Sequence, residues 1–559
     1  MDIQRLILFM VFAFSLLMLW EAWQRDKQPV HAPGAAQQAG TTVAPAPPGS
    51  EPPVPSRSAS AAPAPVPGAA PALGGERVSV RTDVLVAEIA VAGGDLVRLE
   101  LTQYADKEDR AKRFVLLDQQ PGRTYVVQSG LIGEGLPNHK TIYTVLPGER
   151  ELKADAENLE LRLAAPQFGG LKVSKVYTFR RGSYLVDLRY EIENGGASPV
   201  SADAYFVFLR DGNPAPGDIK MVPTYTGAGV YTEQSKFHKV DFSAMEKGKI
   251  DYPKSADNGW IAMIQHYFVA AWLPLGNVQR DFRTEKLGDL YRVGLVVPVG
   301  SIGPSASVQA AMQLYAGPQE QDKLAKLAPG LGLVVDYGWL TFLAVPLFWV
   351  LELFHRLVGN WGAAIILLTV LIKLLFYPLS AASYKSMAKM KAVAPKLQRI
   401  KELYGDDRQR LHQAMMDLYK TEKINPMGGC LPIVVQIPVF IALYWVLLQS
   451  VELRQAPFML WIHDLSAPDA VLGVIPGINM PIGVLPIIMG ATMILQSRLN
   501  PTPPDPIQAR MMQIMPIAFS VFFFFFPAGL VLYWLVNNVL SIAQQWHINR
   551  MLGAKGAKA

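Results

Sequence analysis

A chain of 559 residues, 50% hydrophobic and 18% charged with a mean hydropathy of +0.19, is too apolar for an ordinary soluble protein and too charged to lie wholly in lipid. The formal charge of +6 is modest, and a single cysteine, Cys430, excludes an intramolecular disulfide and any multi-cysteine metal site. Its eight histidines stand singly, without H-x-x-x-H spacing, so there is no zinc signature.

Residues 6–20 form an apolar stretch broken only by Ser15. Glu21-Ala-Trp-Gln24 offers no small-x-small cleavage site, so residues 1–25 read as an uncleaved transmembrane anchor. Residues 26–76, rich in Pro, Ala, Gly and Ser, cannot bury enough surface to offset their ordering entropy and read as a disordered tether.

From residue 77 to about 315, within a domain expected at 77–327, the pattern has period two. Tyr184, Val186, Leu188, Tyr190 and Ile192 alternate with mostly polar neighbours, and Arg180-Arg-Gly-Ser183 turns the chain back from a preceding strand at 171–179. Further strands are expected at 78–91, 96–101, 159–163, 205–209, 260–272 and 291–297. Many strands with no long helix between them predict an all-β sandwich. His266 and Glu191 are the nearest things to catalytic candidates there, and both read as structural residues.

A short helix is expected at 319–327. Residues 335–358 are rich in aromatics, but Pro346, Glu352, His355 and Arg356 favour a helix lying in the membrane interface over a span. Five spans follow, at 359–380, 430–449, 480–497, 511–526 and 530–548, the last two separated by Pro527-Ala-Gly529. The fold class is therefore a polytopic α-helical membrane protein of six spans carrying a large external all-β domain. Several spans are short, since sixteen helical residues reach only ~24 Å against a hydrocarbon core of ~30 Å.

Basic residues set the orientation. Segment 381–429 holds ten Lys or Arg against five Asp or Glu. Loop 498–510 has Arg498 and Arg510 at its ends, and tail 549–559 carries Arg550, Lys555 and Lys558. The loop at 450–479 has only Arg454 against Glu452, Asp464 and Asp469. The positive-inside rule then puts both termini in the cytoplasm and the β-domain outside.

Within 381–429, Tyr384, Met387, Met390, Val393, Leu397, Ile400 and Tyr404 recur every three or four residues, Gly405-Asp-Asp407 turns the chain, and Leu411, Met415 and Leu418 return. This is an antiparallel helical hairpin with a narrow apolar seam and a basic exterior. A solvated charged face accounts for most of the lysines; the alternative is that Lys389 and Lys391 dock acidic partners, such as ribosomal RNA or anionic lipid, while Met387, Met390, Met415 and Met416 suit contact with varied apolar segments.

Lys373 stands inside the apolar run of the second span, with Thr369 one turn before it. A cation at that depth is costly and points to function. No Asp or Glu occurs in the five later spans, which excludes an ion pair within them and weighs against an ion-coupled transporter. Snorkelling is the plain alternative, but Lys385 lies ~18 Å further along a continuous helix. Tyr533, Asn537, Ser541 and Gln544 share one face of the last span, and Gln436 lies in the span after that of Lys373. Interhelical hydrogen bonding would explain the polar stripe alone; with Lys373 it favours a hydrated groove. No G-x-S-x-G, H-E-x-x-H or aspartate pair supports an intramembrane protease.

Gly359-Asn-Trp-Gly362, Tyr377-Pro-Leu379, Ser386-Met-Ala-Lys-Met390, Asn425-Pro-Met-Gly-Gly-Cys430, Ser450-Val-Glu-Leu-Arg-Gln-Ala-Pro457, Leu460-Trp-Ile-His-Asp-Leu465 and Phe526-Pro-Ala-Gly-Leu-Val-Leu-Tyr533 occur in order. This set resembles the YidC/Oxa/Alb family of membrane insertases, in its Gram-negative form. The resemblance implies a five-helix insertase core, a periplasmic β-supersandwich similar to sugar-binding folds, and no enzymatic activity or cofactor. It implies a groove open to cytoplasm and lipid, lined by Lys373, Thr369, Gln436, Tyr533, Trp534, Asn537 and Ser541. Lysine stands at 373 where Gram-negative members usually have arginine, which keeps the charge and loses the planar donor fork. Implied partners are nascent membrane proteins, the Sec translocon and its accessory subunits, the ribosome, the signal recognition particle receptor and membrane lipids. The alternative is a binding role, with the β-domain as a periplasmic chaperone or sugar-recognition module and the bundle as its anchor.

Overall fold

In the computed structural model, the described residues are 66, 74–107, 109–215, 224–249, 251–405, 407–422, 431–477, 479–499 and 506–556, without the side chains of 408, 431–434, 506–508 and 552–556. The expected anchor at 1–25, nearly all of the tether, the Asn425–Cys430 motif and Lys558 lie outside them.

Alternation of apolar and polar residues builds two nine-stranded antiparallel sheets among the described residues. One runs, in spatial order, Arg77–Arg81, Leu85–Ala90, Leu96–Ala105, Arg113–Gln120, Arg123–Ile132, Val200–Asp211, Leu290–Ile302, Arg280–Leu287 and Ser255–Ala256. The other runs Lys236–Asp241, Gly227–Thr232, Trp260–Gln265, Phe268–Pro274, Ser307–Pro318, Leu185–Asn194, Leu171–Arg180, Asn158–Ala164 and Thr144–Val145. They pack face to face. Phe206 and Phe208 of the first sheet meet Trp272 of the second at ring separations of 5.2 and 5.6 Å, and Phe114 stacks on Phe268 at 4.0 Å. The expected all-β domain is present, and its layers are those of a sandwich.

Two expected strands are each two. The run 78–91 breaks after Arg81, where the Thr82 hydroxyl accepts from the amides of Val84 and Leu85 and turns the chain into a hairpin. The run 260–272 folds back at Tyr267, whose φ of 68° lies in the left-handed region. The second hairpin keeps a nearly continuous apolar run because its strands are buried on both faces, so composition alone hides that turn.

Among the described residues the helices are, in chain order, α1 Phe242–Glu246, α2 Gln321–Leu327, α3 Thr341–Val358, α4 Trp361–Leu375, α5 Tyr377–Tyr404, α6 Arg408–Thr421, α7 Leu431–Gln449, α8 Val484–Leu499, α9 Pro506–Phe523 and α10 Ala528–Gly556. The last helix packs on α4, α5, α7 and α8, while α9 packs on α8 and α3 on α4 and α7. Between α4 and α5 the axis bends by 65° at Phe376. Lys373 and Lys385 therefore do not lie on one straight helix, which changes the geometry assumed for snorkelling. Helices α5 and α6 form the expected hairpin; Val393 and Leu397 are its buried centre, with Met390, Met415, Leu418 and Tyr419 packed round them.

Candidate functional site

The site lies where α4, α7 and α10 meet. Residues four apart on α10 present Tyr533, Asn537 and Ser541 along one face, as the spacing requires. Lys373 is 6% exposed, and its Nζ donates to Ser541 Oγ at 2.7 Å. Ser541 Oγ donates in turn to the Asn537 carbonyl at 2.7 Å, and Gln436 Nε2 donates to Asn537 Oδ1 at 3.2 Å. One polar chain thus links three helices. Lys373 is turned into the bundle, toward α10. No carboxylate pairs with it among the described residues, so its charge rests on neutral oxygen acceptors.

The remaining expected groove residues divide. Tyr533 is buried and lies 6.2 Å from the Phe440 ring, while Trp534 meets Phe440 edge-on at 4.7 Å. They form an aromatic layer one to two turns from the polar chain, and the Trp534 indole nitrogen is buried without a hydrogen-bond partner among the described residues. Thr369 is fully buried, but its hydroxyl donates to the Ile365 carbonyl at 2.7 Å. Its polarity is spent within α4, and it does not join the chain.

Two polar residues of α10 were missed by the spacing argument. Asn538 Nδ2 donates to Thr492 Oγ1 at 3.3 Å, and Gln545 Nε2 donates to the Leu499 carbonyl at 3.4 Å, both on α8. They stand seven apart, itself a helical repeat that would have marked a second polar face.

Tyr384 of α5 is hydrogen-bonded to Ser541, which brings the start of the hairpin to this chain. Lys389, Lys391 and Met416 are exposed, Met387 is half-buried, and Met390 and Met415 close the hairpin seam. Arg498 and Arg510 are exposed at the ends of α8 and α9, and Arg550 lies over the Trp546 ring at 5.5 Å. Lys555 falls within α10, its side chain outside the described residues.

At the end of the bundle nearer the β-domain, four of the sequence motifs converge into a cap. Asn360 caps α4 by accepting from the Ala363 amide at 3.0 Å, and its Nδ2 donates to the Phe458 carbonyl at 3.1 Å. Gly362 is glycine because a Cβ there would stand 2.1 Å from the Phe458 ring. Asp464 accepts from the Gln455 amide, and the Ala528 and Gly529 amides donate to the Ala467 and Leu465 carbonyls at 2.8 and 2.9 Å. The cap also joins the β-domain: Arg454 Nη2 donates to the Ala105 carbonyl at 2.8 Å, and its guanidinium lies over Phe114 and Phe268.

Both catalytic candidates of the β-domain are engaged in contacts that hold the fold together. Glu191 pairs with Arg162 and Arg189, and those positive charges hold its carboxyl below the usual range despite partial burial. His266 Nε2–H donates to the Leu448 carbonyl at 3.0 Å, tying the sandwich to the end of α7.

Residues 77–350 match the family model described as the YidC periplasmic domain, and residues 353–555 match that described as 60Kd inner membrane protein. A membrane protein insertase YidC of Nitrosospira multiformis is 57% identical, covering 100% of this chain and 98% of its own. One from Methylobacillus flagellatus is 55% identical, covering 100% and 99%. A solved structure, of an active YidC insertase with its first transmembrane domain resolved, aligns over 84% of this chain and 92% of its own at 19% identity, with a TM-score of 0.38. With both halves matched and relatives this similar along the whole length, the chain belongs to the YidC family of membrane protein insertases.

Proposed function

We propose that this chain inserts proteins into the bacterial inner membrane through a hydrated groove between α4, α7 and α10, with Lys373 drawing in acidic or polar substrate segments. The names of its relatives support insertion, and the family is one of insertases and not of enzymes. The groove reading rests on one observation above all: a buried lysine whose hydrogen-bond acceptor is a serine hydroxyl and which has no carboxylate partner among the described residues. A buried cation that is not neutralised by its own protein attracts passing anionic groups most strongly where the dielectric is low.

The six-span topology, cytoplasmic termini and a chaperone role alone or with the Sec translocon belong to the same proposal. So do the capture of nascent membrane proteins by Met387, Met390 and Met416 and contact of the basic loops with the ribosome, signal recognition particle receptor and lipid headgroups. For α3, the interfacial reading is supported by its contacts. Tyr337, just before it, hydrogen-bonds Gln321, and Arg356, near its end, pairs with Asp322 at 2.9 Å. Both ends are thus tied to one short helix of the β-domain, although Gly338–Val358 is by length and composition apolar enough to span. Its exposed row of Phe342, Val345, Trp349, Leu353 and Leu357 would face lipid.

The test replaces Lys373 with Arg, Ala and Glu and measures insertion of a single-span substrate with an acidic tail. Arg is expected to retain most activity, Ala to lose much of it, and Glu to lose the most. Insertion with Glu equal to that with Lys would overturn the electrostatic reading.

A further inference from the structure

The segment just before α8 is exposed, apolar and closed upon itself. Val474 pairs with Pro481 and Ile475 with Met480 in a two-stranded hairpin. It is completed by the Leu472 amide on the Ile482 carbonyl at 3.0 Å and the Ile482 amide on the Gly473 carbonyl at 2.8 Å. Gly477 and Asn479 supply the left-handed conformations of the turn, with φ of 93° and 48°. Val471, Leu472, Val474 and Ile475 are 49%, 58%, 54% and 36% exposed. From Ala470 to Ser497 there is no charged residue, so the apolar character of α8 continues unbroken into the hairpin.

We propose that this hairpin is immersed in the lipid leaflet on the β-domain's side of the membrane, its occupants being phospholipid acyl chains. Helix α8 has 16 residues and reaches ~24 Å, about 6 Å short of a ~30 Å hydrocarbon core. A short span thins the bilayer or recruits flanking residues to lengthen its apolar part, and this hairpin is the flanking segment. Open sheet edges are excluded from the hydrocarbon interior, so the hairpin sits at its headgroup boundary with its apolar side chains among the acyl chains. Water reaches its edge groups there, while cross-strand bonds pair those of Leu472, Gly473 and Ile482. The base of the hairpin is anchored where the polarity begins. Asp469 accepts from the Leu485 amide at 2.8 Å and from the Trp461 indole at 3.1 Å, which holds hairpin and helix start against the cap.

The inference rests on the reading that α8 crosses the membrane, and the experiment separates the two. In a Cys430→Ser background, the full chain is prepared with Leu472→Cys, Ile475→Cys, Ile494→Cys or Lys153→Cys, each labelled with a polarity-sensitive dye and placed in phospholipid nanodiscs. Ile494 is an exposed residue of α8 and reports on the span; Lys153 is an exposed position on the β-domain and reports on water. The expected result is quenching of the labels at 472, 475 and 494 by chain-spin-labelled phosphatidylcholine, with iodide quenching several-fold weaker than at 153. Lipid quenching at 494 combined with iodide quenching at 472 and 475 would overturn the hairpin proposal and leave the span intact. Labels at 472 and 475 shielded from both quenchers would also overturn it, because a second protein copy would then cover the hairpin. Absence of lipid quenching at 494 as well would remove the span and the proposal together.

Discussion

Lys373 on α4 and Ser541 on α10 meet at 2.7 Å across 168 positions of sequence, and the serine hydroxyl donates its own hydrogen bond to the Asn537 carbonyl. Ser541 Oγ therefore has its hydrogen committed and its lone pair turned to the ammonium, which fixes the direction of the bond. Ser541→Ala should leave Lys373 with one acceptor fewer in a buried place. A hydrogen bond to a charged group is worth ~1.5–3 kcal/mol, and a loss of that order is expected in thermal unfolding of the purified protein. Lys373→Met/Ser541→Ala should cost clearly less than the two single losses added. Additive losses would show that the two residues do not interact.

The pH dependence of the junction follows from His266. Burial holds its imidazole down at about 4, well below the usual 6.5, with Lys107 and Arg454 nearby adding to the effect against the favourable Leu448 carbonyl. Because the folded value is depressed, the unfolded chain takes up its proton first as pH falls. Stability from this residue is complete above about 6.5 and declines toward pH 4, by roughly 3 kcal/mol at most. His266→Gln should flatten that decline while leaving the melting curve above pH 7 nearly parallel to wild type. Identical acid slopes for the two proteins would exclude His266 as the group responsible.

Much of the site was legible because helical spacing is a rigid rule. Asn537 and Ser541 could be assigned to one face from numbers alone, and Lys373 and Gln436 stood out as polar residues in apolar runs. Thr369 stood out equally, yet its hydroxyl satisfies its own helix at Ile365; a sequence shows that a threonine is polar and not where its proton goes. Asn538 and Gln545 were passed over because they belong to a neighbouring face, whose partner α8 lies some fifty residues upstream. In the β-domain, alternation located strands such as 184–192. It could not show that Val200–Asp211 sits between Arg123–Ile132 and Leu290–Ile302, a pairing set by contacts between distant segments. The bend at Phe376 did carry a signal in Pro378, which suits the first turn of a new helix, but it was passed over when Lys373 and Lys385 were set on one continuous helix.

Inside the sandwich, Lys175 and Asp95 form a buried pair at 3.8 Å, with the ammonium donating to the Gly93 carbonyl at 3.0 Å among the rings of Tyr143, Tyr177 and Tyr190. Burial pushes the Asp95 carboxyl up and the Lys175 ammonium down, each restrained by the other's charge. Lys175→Met would strand the carboxylate, at a cost of ~3–5 kcal/mol, whereas Lys175→Met/Asp95→Leu removes both charges and should recover a large part of that loss. Chemical denaturation of the full chain at pH 8 checks the order. A double variant less stable than the single one would show that the pair, and not the stranded charge, sets the energy.

Helices α8 and α9 approach closely at one point. A Cβ on Gly490 would stand 2.3 Å from Ser520 Oγ and 2.9 Å from Ser520 Cβ, both too near for contact. The serine cannot swing away freely, because its hydroxyl donates to the Pro486 carbonyl at 3.2 Å. Small residues at such a contact let two helix backbones approach closely. Gly490→Ala should force the helices apart and cost ~1–3 kcal/mol, in line with overpacking elsewhere. Ser520→Ala removes the nearer of the two clashes and leaves the Cβ contact, so Gly490→Ala/Ser520→Ala should recover part of the loss and not all of it. Thermal unfolding in micelles, read beside insertion activity, measures both variants; a Gly490→Ala protein as stable as wild type would mean that the two helices are not held at this distance.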